Sequence, residues 1–75
     1  MRTPRDFTAI ISKEERWYVA RCPELDITSQ GKTIESAKAN LIEAIEGFLL
    51  VASPKEIRER LQSDVYVTRL RVAGA

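Results

Sequence analysis

The sequence contains no histidine and only one cysteine, Cys22. Histidine is the commonest general base and the commonest metal ligand, so its absence removes the usual route to both kinds of site. A lone cysteine excludes a disulfide within the chain, and without histidine it leaves too few ligands for zinc. Three scattered glycines cannot form a phosphate-binding loop. We therefore expect no catalytic residue, no metal and no cofactor, and a protein that is not an enzyme.

The sequence also lacks a long apolar run and a strong excess of either charge. No stretch is long enough to span a bilayer, and residues 1–7 lack the apolar core of a signal peptide, so we expect a cytoplasmic protein. The 12 basic and 11 acidic residues give a net charge of +1. Nucleic-acid binders usually carry a larger basic excess, so direct DNA binding is not expected. The 75 residues, 44% hydrophobic and 31% charged, are typical of one small globular domain.

β-forming residues dominate the first third of the chain. They predict strands at 7–11, 17–22 and 27–30, with a charged break at 12–16 that joins the first two as a hairpin. Gly31 is expected to end the third strand. The three strands would form an antiparallel meander.

Two helices are predicted after the meander. Thr33 has the residue type of an N-cap, and the helix from 34 to about 52 carries an apolar stripe at helical spacing. The stripe consists of Ile34, Ala37, Leu41, Ala44, Ile45, Phe48 and Ala52. Gly47 interrupts this helix at a cost of about 1 kcal/mol relative to alanine, and its missing side chain could admit a close neighbour. Ser53-Pro54-Lys55-Glu56 forms a capping box that begins a short helix, 54–62, with i,i+4 charge pairs on its surface.

The last β-forming run, 65–72, is predicted to be a fourth strand. Arg69 and Arg71 share one face of it with two valines, whereas Tyr66, Leu70 and Val72 face the other way. The order β-β-β-α-(short α)-β predicts an α+β fold with an antiparallel sheet packed on one long helix. The single domain would span 1–75, with its core at about 6–72.

A few residues leave a metal-binding or catalytic role open. Glu24 and Asp26 flank Leu25 and could hold Mg²⁺ with help from Asp6 or Asp64, although solvated loop carboxylates are the favoured interpretation. Cys22 has no base to activate it, so a partly buried, inert thiol is favoured over a nucleophile.

Other side chains suggest surface contacts. Arg69 and Arg71 could contact phosphate or an acidic partner, or could be solvated edge arginines that discourage aggregation. Trp17 and Tyr18 alternate along a strand as RNA-stacking rings do, but one ring in the core and one on the surface is favoured.

Three motifs follow one another within about residues 6–50. They are YVARCPELD at 18–26, SQGKTIESA at 29–37 and NLIEAIE at 40–46. In this order they resemble the HicB-like antitoxin family. The resemblance implies a degraded RNase H-like fold and a non-catalytic module of bacteria or archaea that neutralises a small, basic, mRNA-cleaving toxin of the HicA-like type. The chain departs from the family in lacking a proline-glycine turn after the PEL segment. We also expect no C-terminal DNA-binding domain of the usual kind, since the 23 residues after Ala52 predict one short helix and one strand.

The antitoxin hypothesis makes a set of residues candidates for partner binding: Glu24, Leu25, Asp26, Arg69 and Arg71. The loop carboxylates would mimic RNA phosphate. Two alternatives stay open, an orphan oligomeric domain and a vestigial metal-dependent nuclease built on the carboxylates named above. Spare apolar side chains predict a homodimer under every alternative, with candidate contacts at Trp17, Ile42, Leu49 and Leu50.

Overall fold

The computed structural model describes residues 5–61 and 64–74. Its elements are β1 Ile10–Glu14, β2 Trp17–Cys22, β3 Ile27–Gly31, α1 Ile34–Val51 and α2 Pro54–Leu61. The strands form one antiparallel sheet in the order β1-β2-β3, and α1 packs on β3 and β2. The predicted α+β class, with the sheet packed on one long helix, is confirmed. Within the described ranges, no helix is long and apolar enough to cross a membrane.

The first strand begins later than predicted, at Ile10 instead of Phe7. The charged residues that were expected to break the chain continue the strand, and only Glu15 and Arg16 make the turn to β2. Glu15 has φ of +55°, a value that two-residue hairpin turns require. The tight turn fixes the register and pairs Glu14 with Trp17. The strand residues next to the turn can be charged because their side chains remain exposed.

Helix α1 begins as predicted. The Thr33 hydroxyl accepts a hydrogen bond from the Ser36 backbone N–H at 3.0 Å, and the Ser36 hydroxyl accepts one from the Thr33 N–H at 3.0 Å. The two bonds satisfy two donors that the first helical turn leaves without partners. Gly31, just before this cap, is buried because the α1 backbone passes close by: an added Cβ would lie 2.5 Å from the Ala37 nitrogen.

The core lies between the sheet and α1. Alternate residues of β2, Ala20 and Cys22, face Ala37, Leu41 and Ile45 of the helix, and Leu25 from the following loop completes the buried cluster. The opposite face of the sheet is open to solvent, and Trp17 lies there, 42% exposed. Tyr18, on the helix side, packs partly buried against the core, so the expected division of the two rings is observed.

The prediction of a fourth strand at 65–72 is wrong. Residues 64–74 carry neither helix nor strand, and the sheet seen in the described part of the chain has three strands. Val65, Tyr66, Val67, Leu70 and Val72 are all exposed. A β-forming sequence becomes a strand only where a sheet edge supplies partners for its backbone groups, and this segment lies against none within its own chain.

Candidate functional site

Glu24 anchors residues 5–9, which we call the N-terminal segment, to the loop between β2 and β3. Its carboxylate accepts hydrogen bonds from the Thr8 backbone N–H at 3.0 and 3.2 Å, and from the Thr8 hydroxyl at 2.7 Å. The Cys22 thiol also donates to it, at 3.5 Å. Residues 5–9 precede β1 and carry no strand assignment, so this carboxylate supplies an anchor that the sheet does not.

These contacts set the pKa of the Glu24 carboxyl. Partial burial acts to raise the pKa, but hydrogen bonds from Thr8, from the Glu24 backbone and from Cys22 outweigh it, and the net pKa lies below the ordinary value. Glu24 is therefore an ionised structural acceptor. Most of its hydrogen-bonding capacity is already used inside the chain.

Asp26 behaves differently from Glu24, although only one residue separates them. It has φ of +54°, in the left-handed region that aspartate tolerates better than most residues. Its side chain is 81% exposed and makes one loose contact, 3.4 Å from Arg21. Leu25 between them is fully buried in the core. The loop thus holds Leu25 inward and presents Asp26 to solvent, so the Leu25 side chain positions the loop and does not form its surface.

Helix α2 lies beside this loop because of Arg60. The Arg60 guanidinium donates to the Leu25 carbonyl, lies 4.7 Å from the centre of the Phe48 ring and is 3.9 Å from Glu56. One side chain therefore connects the loop, α1 and α2. The start of α2 follows the prediction, since the Ser53 hydroxyl accepts from the Glu56 N–H at 3.1 Å, and the predicted Lys55–Glu59 pair forms at 4.0 Å.

A groove of about 500 Å³ lies between the loop and α2. Its lining, which we call the acidic groove, consists of Pro23, Glu24, Leu25, Asp26, Glu56, Glu59 and Arg60. Four carboxylates line it against one guanidinium. The lining therefore carries a net negative charge, and the contacts of Arg60 just described hold its shape.

The carboxylates considered for Mg²⁺ do not gather at one point. Within residues 5–61 and 64–74, no three histidine, cysteine, aspartate or glutamate side chains lie close enough together to hold a metal ion. Glu24 is turned toward Thr8 and Asp26 toward Arg21, so the two point to different neighbours.

Cys22 is fully buried, whereas the sequence predicted a partly buried thiol. Burial raises the pKa of the thiol, the Leu25 backbone N–H lowers it, and the neighbouring Glu24 carboxylate raises it again, with a net increase. A thiol of raised pKa is poorly ionised and out of reach of solutes.

A second groove, of about 430 Å³, lies between the N-terminal segment and α1. Its lining, which we call the apolar groove, consists of Arg5, Phe7, Thr8, Ala9, Lys38, Leu41, Ile42, Ile45, Glu46 and Leu49. Two candidate dimer contacts, Ile42 and Leu49, are part of it. The other two lie elsewhere: Trp17 on the open face of the sheet, and Leu50 on α1 outside this groove, 75% exposed.

Arg69 and Arg71 are exposed in the extended segment 64–74 and line neither groove. The structure therefore unites Glu24 and Asp26 at one surface and leaves the two arginines apart from it. Sequence reasoning missed the roles of Thr8 and Arg60. Their partners, Glu24 and Leu25, lie 16 and 35 positions away, and a single sequence carries no signal of such pairings.

Comparison of the chain with models of protein families, with curated proteins and with solved structures gives no match.

Proposed function

We propose that this protein is a non-catalytic binding module, a HicB-like antitoxin that neutralises a small, basic, mRNA-cleaving toxin. The observation that carries the proposal is the acidic groove, where carboxylates from the loop 23–26 and from α2 surround one committed arginine. A basic partner would find charges of opposite sign there, and complementary potentials favour both the rate and the specificity of association.

The groove suits protein binding because its shape is held from within. Glu24 is fixed by Thr8, and the loop carbonyl of Leu25 is fixed by Arg60. A partner that docks on a fixed loop has less conformational entropy to remove than one that must order it. Asp26 and Glu59, whose side chains are 81% and 61% exposed, each make one loose surface ion pair, with Arg21 at 3.4 Å and with Lys55 at 4.0 Å. Exposed pairs of this kind contribute little, so a partner's lysine or arginine can replace them with charge-assisted hydrogen bonds.

The sequence motifs of the resemblance include the same loop. The loop is the PELD part of the motif run by which the chain resembles the HicB-like family, and the following motifs lie on β3 and α1, against which the loop residue Leu25 packs. The proposal therefore joins a resemblance over about residues 6–50 with a negative surface located within it and on α2.

The experiment is co-expression of this chain with the products of the genes that flank its own, followed by a pull-down and a binding titration with the purified partner. We expect a small basic protein in a stable complex. Asp26→Lys combined with Glu59→Lys should weaken it at least about 10-fold, because each rim charge is reversed. Glu35→Lys combined with Glu43→Lys, two exposed positions of α1 outside the groove, makes an equal change of net charge and is the control.

Two results would contradict the proposal. Equal weakening by the groove and control variants would show that only net charge matters. Recovery of the chain alone, with none of its neighbours, would favour an orphan oligomeric domain.

A further inference from the structure

We propose that residues 64–74, which we call the tail segment, pair with the outer edge of β1 in a second copy of the chain and cover its apolar groove. The exchange would be reciprocal, so that two copies form a two-fold symmetric dimer. This inference does not depend on the partner proposed above, since it uses α1 and the free edge of the sheet, neither of which lines the acidic groove.

The tail segment has the composition of a strand but no partner in its own chain. It is extended, and its five large apolar residues are exposed, with Leu70 at 85%. Its alternation would place Tyr66, Thr68, Leu70 and Val72 on one face and Val65, Val67, Arg69 and Arg71 on the other. Two faces of such different polarity are typical of a strand that buries one side only.

The molecule is correspondingly long for its size. Its radius of gyration is 14.5 Å and its longest dimension 48 Å. A compact domain of 75 residues has a radius of gyration of about 11 Å. The eleven residues of the tail segment reach about 36 Å when extended, enough to follow β1 and the segment before it from end to end.

The acceptor surface is present on the same chain. β1 is an outer strand, paired on one side only, and α1 packs mainly on β3 and β2, so the helix covers this edge poorly. The apolar groove lies beside residues 5–9, which lead into this strand, with Phe7 and Ile42 among its walls and Ile42 half exposed. Unpaired strand edges and exposed apolar surface of this kind are what an added strand removes.

Charge determines the direction of the pairing. On the solvent-side face of β1 the residues are Ile10, Ser12 and Glu14, apolar at the start and acidic at the end. The matching face of the tail segment begins with two valines and ends with Arg69 and Arg71. Parallel pairing places valine beside Ile10 and arginine beside Glu14, whereas antiparallel pairing would place arginine beside Ile10. The pattern therefore favours a parallel arrangement.

The other face of the tail segment would then enter the apolar groove at Tyr66. The register that places Arg71 beside Glu14 also places Tyr66 beside Ala9, which lines the apolar groove. Tyr66 would therefore cover Ile42 of the second copy, one of the spare apolar side chains that predict a dimer from sequence. Leu70 and Val72 would lie farther along the edge, beside Lys13 and Glu15. Pairing within one chain would satisfy the same groups, but the single chain holds the segment away from its sheet.

Disulfide trapping separates the two possibilities. In a Cys22→Ala background, one preparation carries Ser12→Cys and another carries Arg69→Cys; the two are unfolded together, refolded and oxidised. Parallel exchange brings these positions to neighbouring strands, within the Cα separation that a disulfide requires. We expect a covalent heterodimer from the mixture. Thr68→Cys, on the opposite strand face, replaces Arg69→Cys in the control and should give none. A third preparation carries both Ser12→Cys and Arg69→Cys in one chain. A disulfide that forms within this chain, with no covalent heterodimer from the mixture, would overturn the proposal.

Solution size supplies the second test, by light scattering and sedimentation on the otherwise unaltered chain. Tyr66→Lys should raise the dimer dissociation constant at least about 10-fold, because it places a charge against an apolar surface. Val51→Lys, at an equally exposed position (85%) outside the apolar groove, should leave it unchanged. A wild-type chain that is monomeric at micromolar concentration, or equal effects of the two variants, would overturn the proposal.

Charge reversal tests the direction of pairing. Glu14→Arg and Arg71→Glu should each weaken the dimer, and the two together should restore it to within about threefold of wild type. Additive weakening in the double variant would overturn the parallel arrangement.

Discussion

Glu24 and Thr8, 16 positions apart, are joined by three hydrogen bonds that end on a single carboxylate. The chain thereby closes a loop that contains the whole β1–β2 hairpin. The residue that looks most like a binding group in the sequence is thus chiefly a structural anchor, and the surface charge of the loop is carried by Asp26.

Removing the anchor should loosen the N-terminal segment. We expect Thr8→Val, which keeps the shape and deletes the hydroxyl donor, to lower the free energy of unfolding by about 1–2 kcal/mol, since it removes a charge-assisted hydrogen bond. Thr8→Ser retains the donor and should cost less. Urea unfolding followed by circular dichroism measures both, and a loss for Thr8→Ser that equals or exceeds the loss for Thr8→Val would show that the hydrogen bond is not the larger contribution.

Stability should fall at acid pH because of the same carboxylate. The folded-state pKa of Glu24 lies below its ordinary value of 4.5, so the carboxylate contributes stability that is fully present above that value and is lost as pH falls through the lower, folded-state pKa. Glu24→Gln should make the free energy of unfolding depend less on pH in this acid range. Denaturant midpoints measured between pH 7 and pH 3 test it, and an unchanged slope in the variant would contradict it. Glu43→Gln, on the exposed face of α1, is the matched control.

Two glycines should respond in opposite ways to alanine. Gly47 lies in α1, where an added Cβ meets nothing within 4 Å, so the close neighbour considered from the sequence is absent. Gly47→Ala should stabilise the protein by about 0.5–1 kcal/mol through helix propensity. Gly31→Ala should destabilise it by about 1–3 kcal/mol, because the new Cβ collides with the backbone at Ala37. Thermal unfolding of the two variants side by side gives the sign of each effect.

Arg60 should prove more sensitive than its exposed neighbour Arg58. Lysine keeps the positive charge but loses the flat guanidinium that lies over Phe48 and the fork that reaches the Leu25 carbonyl. We expect Arg60→Lys to cost about 1–2 kcal/mol and to speed amide hydrogen exchange in α2. Arg58→Lys should leave both unchanged. If the two variants exchange at the same rate, Arg60 does not hold α2 in place.

The elements that could be predicted from sequence are those whose signals are local. The cap at Thr33, the serine and proline at the start of α2 and the alternation in β2 act within a few residues, and they appear where expected. The predicted start of β1, at Phe7, is wrong because the register of the hairpin depends on its turn. Glu15 adopts a positive φ in that turn, which its residue type does not predict.

The remaining discrepancies concern distant partners. Residues 65–72 have the composition of a strand, but a strand also needs an edge, which no local pattern can supply. In the same way, the loop at Glu24 could be recognised as a site of interest, whereas its anchoring by Thr8 and Arg60 depends on the fold as a whole.

The burial of Cys22 gives the chain a built-in reporter of its own opening. Since the thiol is single and fully enclosed, a thiol-specific reagent can reach it only when the loop after β2 moves away from the core or the whole domain unfolds. The rate of modification, compared with the rate in denaturant, therefore gives the fraction of time that this region is open. No engineered label is needed, and the same measurement on the Thr8 and Arg60 variants would show which of the two contacts keeps the loop shut.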